Sequence, residues 1–227
     1  ELVRRLAQKG YKIISASRQA REENLANVTC VTNEELFSQR LDVSDVECAV
    51  VCAFARESAF DKLAQSLRFT DEVMHFVLDS GIKCAINLSS QSVYAQNSEA
   101  DYIDETAEIG PADGYGVAKF ATELLANNIW GGNINFTNIR LASVNMQQRF
   151  TRYFIESAIQ GKKINVYCDA QTFSLIDVSD VAEALTALID CRNTSWDAVY
   201  NLGAGYVSTT LEAARTVRDI AVSQYHL

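Results

Sequence analysis

Ser90, Tyr115 and Lys119 are of the right type and spacing to move a proton at a carbon–oxygen bond. Tyr115 and Lys119 stand four apart in Tyr-Gly-Val-Ala-Lys, so on a helix they share one face. A phenol titrates near ~10 in water, too high for a base at neutral pH, and a neighbouring ammonium favours the phenolate. Ser90, 25 positions upstream of Tyr115, can hydrogen-bond a substrate oxygen while the tyrosine transfers the proton. That is general acid/base catalysis beside a hydride carrier. Tyr-x-x-x-Lys also arises by chance on helices, and context is what selects it here. Cys84-Ala-Ile-Asn-Leu88 reads as a buried strand, and Ser89-Ser-Gln-Ser-Val-Tyr94 as its exit into a loop. Reactive groups of open parallel sheets sit at such carboxyl ends.

The elements that must position these groups alternate along the chain. Glu1 to Lys9 has a helical pattern with Leu2, Val3, Leu6 and Ala7 on one face, closed by Gly10. Strands are expected over Tyr11–Ser15, Val28–Val31, Cys48–Phe54, Asn135–Leu141, Lys163–Tyr167 and Asp197–Leu202. Helices are expected over Glu34–Arg40, Leu63–Ser80, Tyr115–Trp130, Arg149–Gln160, Asp180–Asp190 and from Thr210. Ser179 is the expected cap of the Asp180 helix, and Ser208 or Thr209 that of the last. Leu63, Leu67, Val73, Phe76 and Val77 are the expected inward face of the longest helix. A loop carrying Glu99, Asp101, Asp104 and Glu105 follows the Ser90 strand. Such alternation predicts an α/β fold with a parallel sheet.

A chain of 227 residues, 48% hydrophobic and 22% charged, suits one large domain or a domain with a small lobe. Net charge −9 argues against nucleic acid or an anionic membrane surface as main partner. No apolar run reaches the ~18 residues of a membrane helix, and no secretory pattern opens the sequence. The expectation is a cytoplasmic protein. Its six cysteines (Cys30, Cys48, Cys52, Cys84, Cys168 and Cys191) fall mostly in apolar segments and read as reduced core residues. Cys48 and Cys52, four apart on a strand, are ~13 Å apart and too distant to share a metal. With only His75 and His226 besides, no metal site is expected.

Five motifs in order carry a resemblance: Leu88-Ser-Ser-Gln-Ser-Val-Tyr94, Tyr115-Gly-Val-Ala-Lys119, Ile139-Arg-Leu141, Ile176-Asp-Val-Ser-Asp-Val-Ala-Glu-Ala184 and Tyr200-Asn-Leu-Gly-Ala-Gly205. Together they resemble the extended short-chain dehydrogenase/reductase family in its NAD-dependent epimerase/dehydratase branch, over nearly the whole chain. The resemblance implies a Rossmann-type doubly wound parallel sheet with a small C-terminal substrate lobe. It places an NAD(P)-binding domain at 1–145 and a partly substrate-binding lobe, interleaved with the sheet, at 146–227. It implies NAD or NADP as cofactor and a small-molecule substrate, commonly a nucleotide sugar. It also implies a homodimer paired through helices of the kind holding Leu63–Ser80 and Gly116–Trp130.

Carried onto this sequence, the resemblance makes Tyr115 the acid/base. Lys119 lowers its pKa and holds the nicotinamide ribose, and Ser90 orients the substrate oxygen. Cofactor positions fall on Ser17, Arg18, Asn33, Ala53, Phe54, Leu88, Tyr115, Lys119 and Ala142; substrate positions fall on Ser90, Gln91 and Ser143. Arg18 stands where NAD-preferring members carry an acid, and a guanidinium suits a 2′-phosphate, which leans towards NADP. Asn33 is preferred over Asp42 at the adenine side because it leaves room for a helix before the Cys48 strand.

Several positions depart from the family. The opening strand and Gly-rich turn that hold the cofactor pyrophosphate are not found, and Glu1 reads as the inside of the first helix. The resemblance then implies a fragment, a start placed elsewhere, or cofactor held in another way. Phe54 is bulkier than the family norm. Gln91 and Ser92 stand where sugar 4,6-dehydratases carry an Asp-Glu pair, which disfavours that elimination. Ser143 stands for an asparagine, and Phe173 for an arginine that binds the diphosphate, for which Lys162, Lys163 or Arg149 could compensate. Three readings follow: an epimerase/dehydratase-type enzyme on a nucleotide sugar, an NADPH-dependent reductase of a non-nucleotide carbonyl, or a non-catalytic Rossmann-like binding or regulatory protein.

Overall fold

The computed structural model describes residues 1–19, 25–38, 41–54, 59–95, 103–144, 149–167 and 172–226. Arg40, Glu99, Asp101 and Cys168 fall outside these residues, as does the side chain of Arg149. The elements run α1 (Leu2–Gln8), β1 (Ile13–Ser17), β2 (Val28–Thr32), α2 (Asn33–Phe37), β3 (Cys48–Val51), α3 (Phe60–Asp79), β4 (Cys84–Ser90), α4 (Gly114–Trp130) and β5 (Asn135–Leu141). There follow β6 (Ser143–Val144), α5 (Arg149–Ile159), β7 (Thr172–Phe173), β8 (Leu175–Ile176), α6 (Val178–Asp190), β9 (Val199–Leu202), β10 (Ser208–Thr209) and α7 (Thr210–Tyr225). The expected α/β alternation is present.

Strands β1 and β2 pair in parallel, from Ile13 opposite Val28 to Ser17 opposite Thr32. Strands β3 and β4 pair in parallel, from Cys48 opposite Cys84 to Val51 opposite Asn87. The latter two open a four-stranded sheet of order β3-β4-β5-β9, and among the described residues β1–β2 forms its own two-stranded sheet. The chain divides into two compact units: Glu1–Arg140 with Val181–Asn201, and Leu141–Asp180 with Leu202–Leu227.

In the first unit, α3 and α4 bury one face each. Val51, Met74, Val77, Ile82, Ala85, Ala126, Ile129 and Trp130 form a continuous cluster. Trp130 is fully buried, and its indole N–H donates to Met74 O at 2.9 Å, so no polar cost offsets its apolar burial. Trp196, the other tryptophan, is also buried in this unit. In the second unit, α7 opens with a capping box. Thr209 accepts from Glu212 N at 3.1 Å and the Glu212 carboxylate accepts from Thr209 N at 2.8 Å.

Several expectations are corrected. Lys163–Tyr167 is not a strand. Lys163 and Tyr167 are exposed, and Ile164 and Val166 line a cavity of about 470 Å³ made wholly by the second unit. Helix α6 starts at Val178. Asp177, not Ser179, supplies its turn, accepting from Ser179 N at 2.8 Å and Ser179 Oγ at 2.6 Å. Strand β3 stops at Val51, and Ala53 beyond it is exposed. Only Leu6 of the α1 stripe is buried. Thr70 and Met74 join Leu63 and Val77 as the buried face of α3, while Leu67, Val73 and Phe76 are half-buried. Cys52 and Cys191 are exposed rather than core residues, because each lies just past the end of a buried element. Among the described residues, no helix is long and apolar enough to cross a membrane.

Candidate active site

Ser90 is the last residue of β4, whose side chains are almost all buried. The strand leads into a 3-10 turn over Gln91–Val93, and the Ser90 hydroxyl shapes it. Its Oγ accepts from Ser92 N and donates to Ser92 Oγ, each at 3.2 Å. Helix α4 starts beside this turn. Asp113 caps it by accepting from Gly116 N at 2.7 Å. A Cβ on Gly116 would lie 2.3 Å from Ser92 O and 2.9 Å from Pro111 Cβ, so only glycine lets the first helical turn sit on the Ser90 turn. Backbone contact thus seats Tyr115 and Lys119 next to the exit of β4.

Lys119 is 5% exposed. Its Nζ donates to Leu88 O at 2.7 Å and lies 4.3 Å from the centroid of the Phe54 ring. Burial lowers its pKa from 10.5 to about 8, against the opposing pull of Cys52 and Glu123. The Phe54 ring also meets Tyr115 edge-on, with centroids 6.1 Å apart and planes at 73°. Phe54 therefore touches both members of the Tyr-Lys pair, which face the same side of α4 as their spacing predicts. Leu88, Phe54, Tyr115 and Lys119 come together, with Ser90 two residues beyond Leu88 and Ala53 and Gln91 flanking the group in sequence.

One turn further along α4 lies a buried ion pair that sequence reasoning missed. The Glu123 carboxylate accepts from Arg140 Nε at 3.0 Å and Nη2 at 2.8 Å, and from Ser89 Oγ at 2.5 Å. The two side chains are 2% and 6% exposed. Burial opposes the charge on Arg140, and hydrogen bonds to Glu123 and Tyr94 outweigh it, raising the pKa of the guanidinium. Arg140 Nη1 donates to Tyr94 OH at 2.9 Å, and that hydroxyl donates to Asn201 Oδ1 at 2.7 Å. Beside it, Asn87 Nδ2 donates to Asn138 Oδ1 at 2.8 Å and to Thr122 Oγ1 at 3.2 Å. This network joins β4, α4, β5 and β9 beneath Tyr115 and Lys119. The signal in the sequence was Glu123, two turns along the Tyr115–Lys119 face of its helix, and Arg140, inside a strand that reads as core.

The adenosine-side candidates sit at the carboxyl end of β1–β2. Register places Ser17 opposite Thr32, so Arg18 and Asn33 follow side by side. Ser17 Oγ donates to Gln19 O at 2.5 Å, Arg18 is exposed, and Asn33 opens α2, capped by Thr32 and Glu35. Asp42 is engaged locally, accepting from Ser44 N at 3.0 Å and Ser44 Oγ at 2.7 Å, which lowers its pKa. Ala142 and Ser143 belong to the second unit: Ala142 N donates to Leu202 O at 2.9 Å and Ser143 N to Ser174 O at 3.1 Å. Phe173, in the same unit, packs on Phe150 with centroids 4.8 Å apart.

A family model described as the NAD dependent epimerase/dehydratase family matches residues 1–210. No curated protein matches by sequence. Among solved structures, UDP-N-acetylglucosamine 4-epimerase from Bacillus cereus superposes with a TM-score of 0.82 at 18% identity, covering 97% of this chain and 76% of that one. UDP-glucose 4-epimerase with UDP-glucose from Thermotoga maritima gives 0.77 at 19%, covering 98% and 79%. A mutant UDP-glucuronic acid 4-epimerase from Bacillus cereus, in complex with UDP-4-deoxy-4-fluoro-glucuronic acid and NAD, gives 0.81 at 16%, covering 97% and 78%. At these identities the likeness establishes the fold, which is Rossmann-type.

Proposed function

We propose, since this chain belongs to the NAD dependent epimerase/dehydratase family, that Ser90, Tyr115 and Lys119 catalyse reversible oxidation of a carbinol on a nucleotide sugar, with epimerisation as the outcome. The observation that carries this reading is Lys119 itself. A buried ammonium has three N–H donors, and among the described residues its hydrogen-bond partner is Leu88 O. The remaining donors suit a vicinal diol, so Lys119 would hold the nicotinamide ribose, with Leu88 and Ala53 beside it. Ser17, Arg18 and Asn33 would hold the adenosine end. NAD, when bound, accepts and returns the hydride.

Tyr115 takes the carbinol proton on its phenolate oxygen and gives it back from the hydroxyl. The Lys119 charge stabilises that phenolate. Ser90, held at the exit of β4, donates its hydroxyl hydrogen to the substrate oxygen, and Gln91 beside it contacts the substrate. The unit made of Leu141–Asp180 and Leu202–Leu227 is the proposed substrate lobe. Exposed Phe60, Val117 and Leu124 on α3 and α4 support a homodimer through these helices, to be tested by light scattering after size exclusion.

Replacing Tyr115 with Phe tests the assignment. Circular dichroism should be unchanged, and epimerisation of UDP-sugars with NAD should fall ~10²–10⁴-fold; full activity would overturn the reading. A second reading is an NADPH-dependent reductase of a non-nucleotide carbonyl. Phe173, packed on Phe150 where a cation would serve a diphosphate, favours it, as does Arg18. Fluorescence titration with NADH and NADPH, followed by a search for steady NADPH consumption, separates the two.

A further inference from the structure

A pair of thiols outside this site stands in direct register. Cys48 opens β3, Cys84 opens β4, and the two are partners in the parallel ladder. In-register partners of a parallel pair point to the same face of the sheet, ~4.8 Å apart between backbones. Disulfides span Cα separations of roughly 4.4–6.8 Å, so the strands need not part for the sulfurs to bond. Both cysteines lie at the amino ends of their strands, and Ser90 lies at the opposite end of β4, ~20 Å away.

We propose that Cys48 and Cys84 form an oxidisable dithiol, which hydroperoxides convert reversibly to a disulfide between β3 and β4. In the reduced state each sulfur has a carbonyl acceptor: Cys84 Sγ donates to Glu47 O at 3.1 Å and Cys48 Sγ to Ala49 O at 3.8 Å. The two thiols bias each other's ionisation: Cys48 holds the Cys84 thiol below its ordinary value, Cys84 pushes the Cys48 thiol up, and burial opposes ionisation of both. Two charged groups face the pair. The Arg192 guanidinium favours a thiolate, and Glu47, its salt-bridge partner at 2.5 Å, disfavours one.

The chemistry balances. The Cys84 thiolate attacks one peroxide oxygen; the O–O bond breaks, leaving a sulfenic acid and, after protonation, one water. The Cys48 sulfur then attacks that sulfenic sulfur, the S–S bond forms, and the hydroxide displaced leaves as the second water. Two thiols lose two electrons, and hydrogen peroxide gains them. Reversal consumes two electrons from an external dithiol.

The test uses the full chain treated with a few equivalents of hydrogen peroxide, alkylated, and digested with trypsin without reduction. Cleavage leaves Cys84 in peptide 84–119 and Cys48, with Cys52, in peptide 41–56. The expected product joins these two peptides, persists in Cys52→Ser, and disappears with dithiothreitol. The proposal is overturned if the link vanishes in Cys52→Ser, or if Cys48 and Cys84 are recovered alkylated while Cys52 or Cys191 carries the oxidation. Since Cys52→Ser alters an exposed residue beyond the end of β3, the decisive variant leaves half-buried Cys48 and buried Cys84 in place.

Discussion

Removing the charge on Glu123 measures what the buried network beneath Tyr115 and Lys119 contributes. Glu123→Leu leaves Arg140, 6% exposed, with only Tyr94 OH and Glu105 O as acceptors among the described residues. Ser89 Oγ loses its acceptor as well. Breaking a buried pair from one side costs about 3–5 kcal/mol. In a chain of this size each kcal/mol moves the melting temperature by about 2–4 °C, so the expected fall is roughly 6–20 °C by circular dichroism. Arg140→Met should cost a similar amount for the converse reason. The double variant Glu123→Leu/Arg140→Met removes both charges and should melt well above the temperature the two single losses would predict together. A single-variant fall under ~2 °C, or strict additivity in the double variant, would refute the claim that the two side chains stabilise each other.

Phe54→Ala uncovers the Lys119 ammonium; a cation–π contact is worth about 0.5–2 kcal/mol, so NADH should bind ~2–30-fold tighter by fluorescence titration. Unchanged or weaker binding would make Phe54 a wall of the site rather than its cover. The folded pKa of Lys119, about 8, lies below its ordinary 10.5. Between those values the unfolded chain holds a proton that the folded chain has released, so stability rises with pH across this window, by up to about 3 kcal/mol. Lys119→Met should lack that rise when urea midpoints at pH 7.5 and 10.5 are compared with those of the parent, and parallel profiles would contradict the burial argument. Gly116→Ala drives a Cβ to 2.3 Å from Ser92 O; the expected cost is ~1–3 kcal/mol in a thermal melt, and a neutral result would mean that the Ser90 turn yields freely.

The Tyr115–Lys119 face and the β4 exit were legible because their spacing is local: four residues on a helix, and a run of buried side chains ending in serines. Asn135–Leu141 was legible to the residue for the same reason. What escaped depends on contacts between distant segments. Lys163–Tyr167 alternates like a strand, but a strand also needs a partner, and Ile164 and Val166 turn to a cavity instead. Ser179 and Asp177 are both capping residues, and only the fold shows which carboxylate reaches which N–H. Glu123 and Arg140 could be read as charges in apolar elements, but not as each other's partner, because 17 residues and a helix-to-strand connection separate them. The register of Cys48 on Cys84 is hidden for the same reason.

The placement of the two tryptophans divides what spectroscopy can see. Trp130 and Trp196 both lie in the first compact unit, shielded from solvent, and the second unit contains neither. Indole emission from this chain is therefore a private signal of one unit. Its red shift on denaturation follows the α3–α4 core while remaining blind to α5 and α7. Far-ultraviolet dichroism, by contrast, sums over every helix in both units. Superimposable denaturation curves from the two probes would make the chain one cooperative block, and a gap between them would give the independent stability of the second unit without cutting the polypeptide.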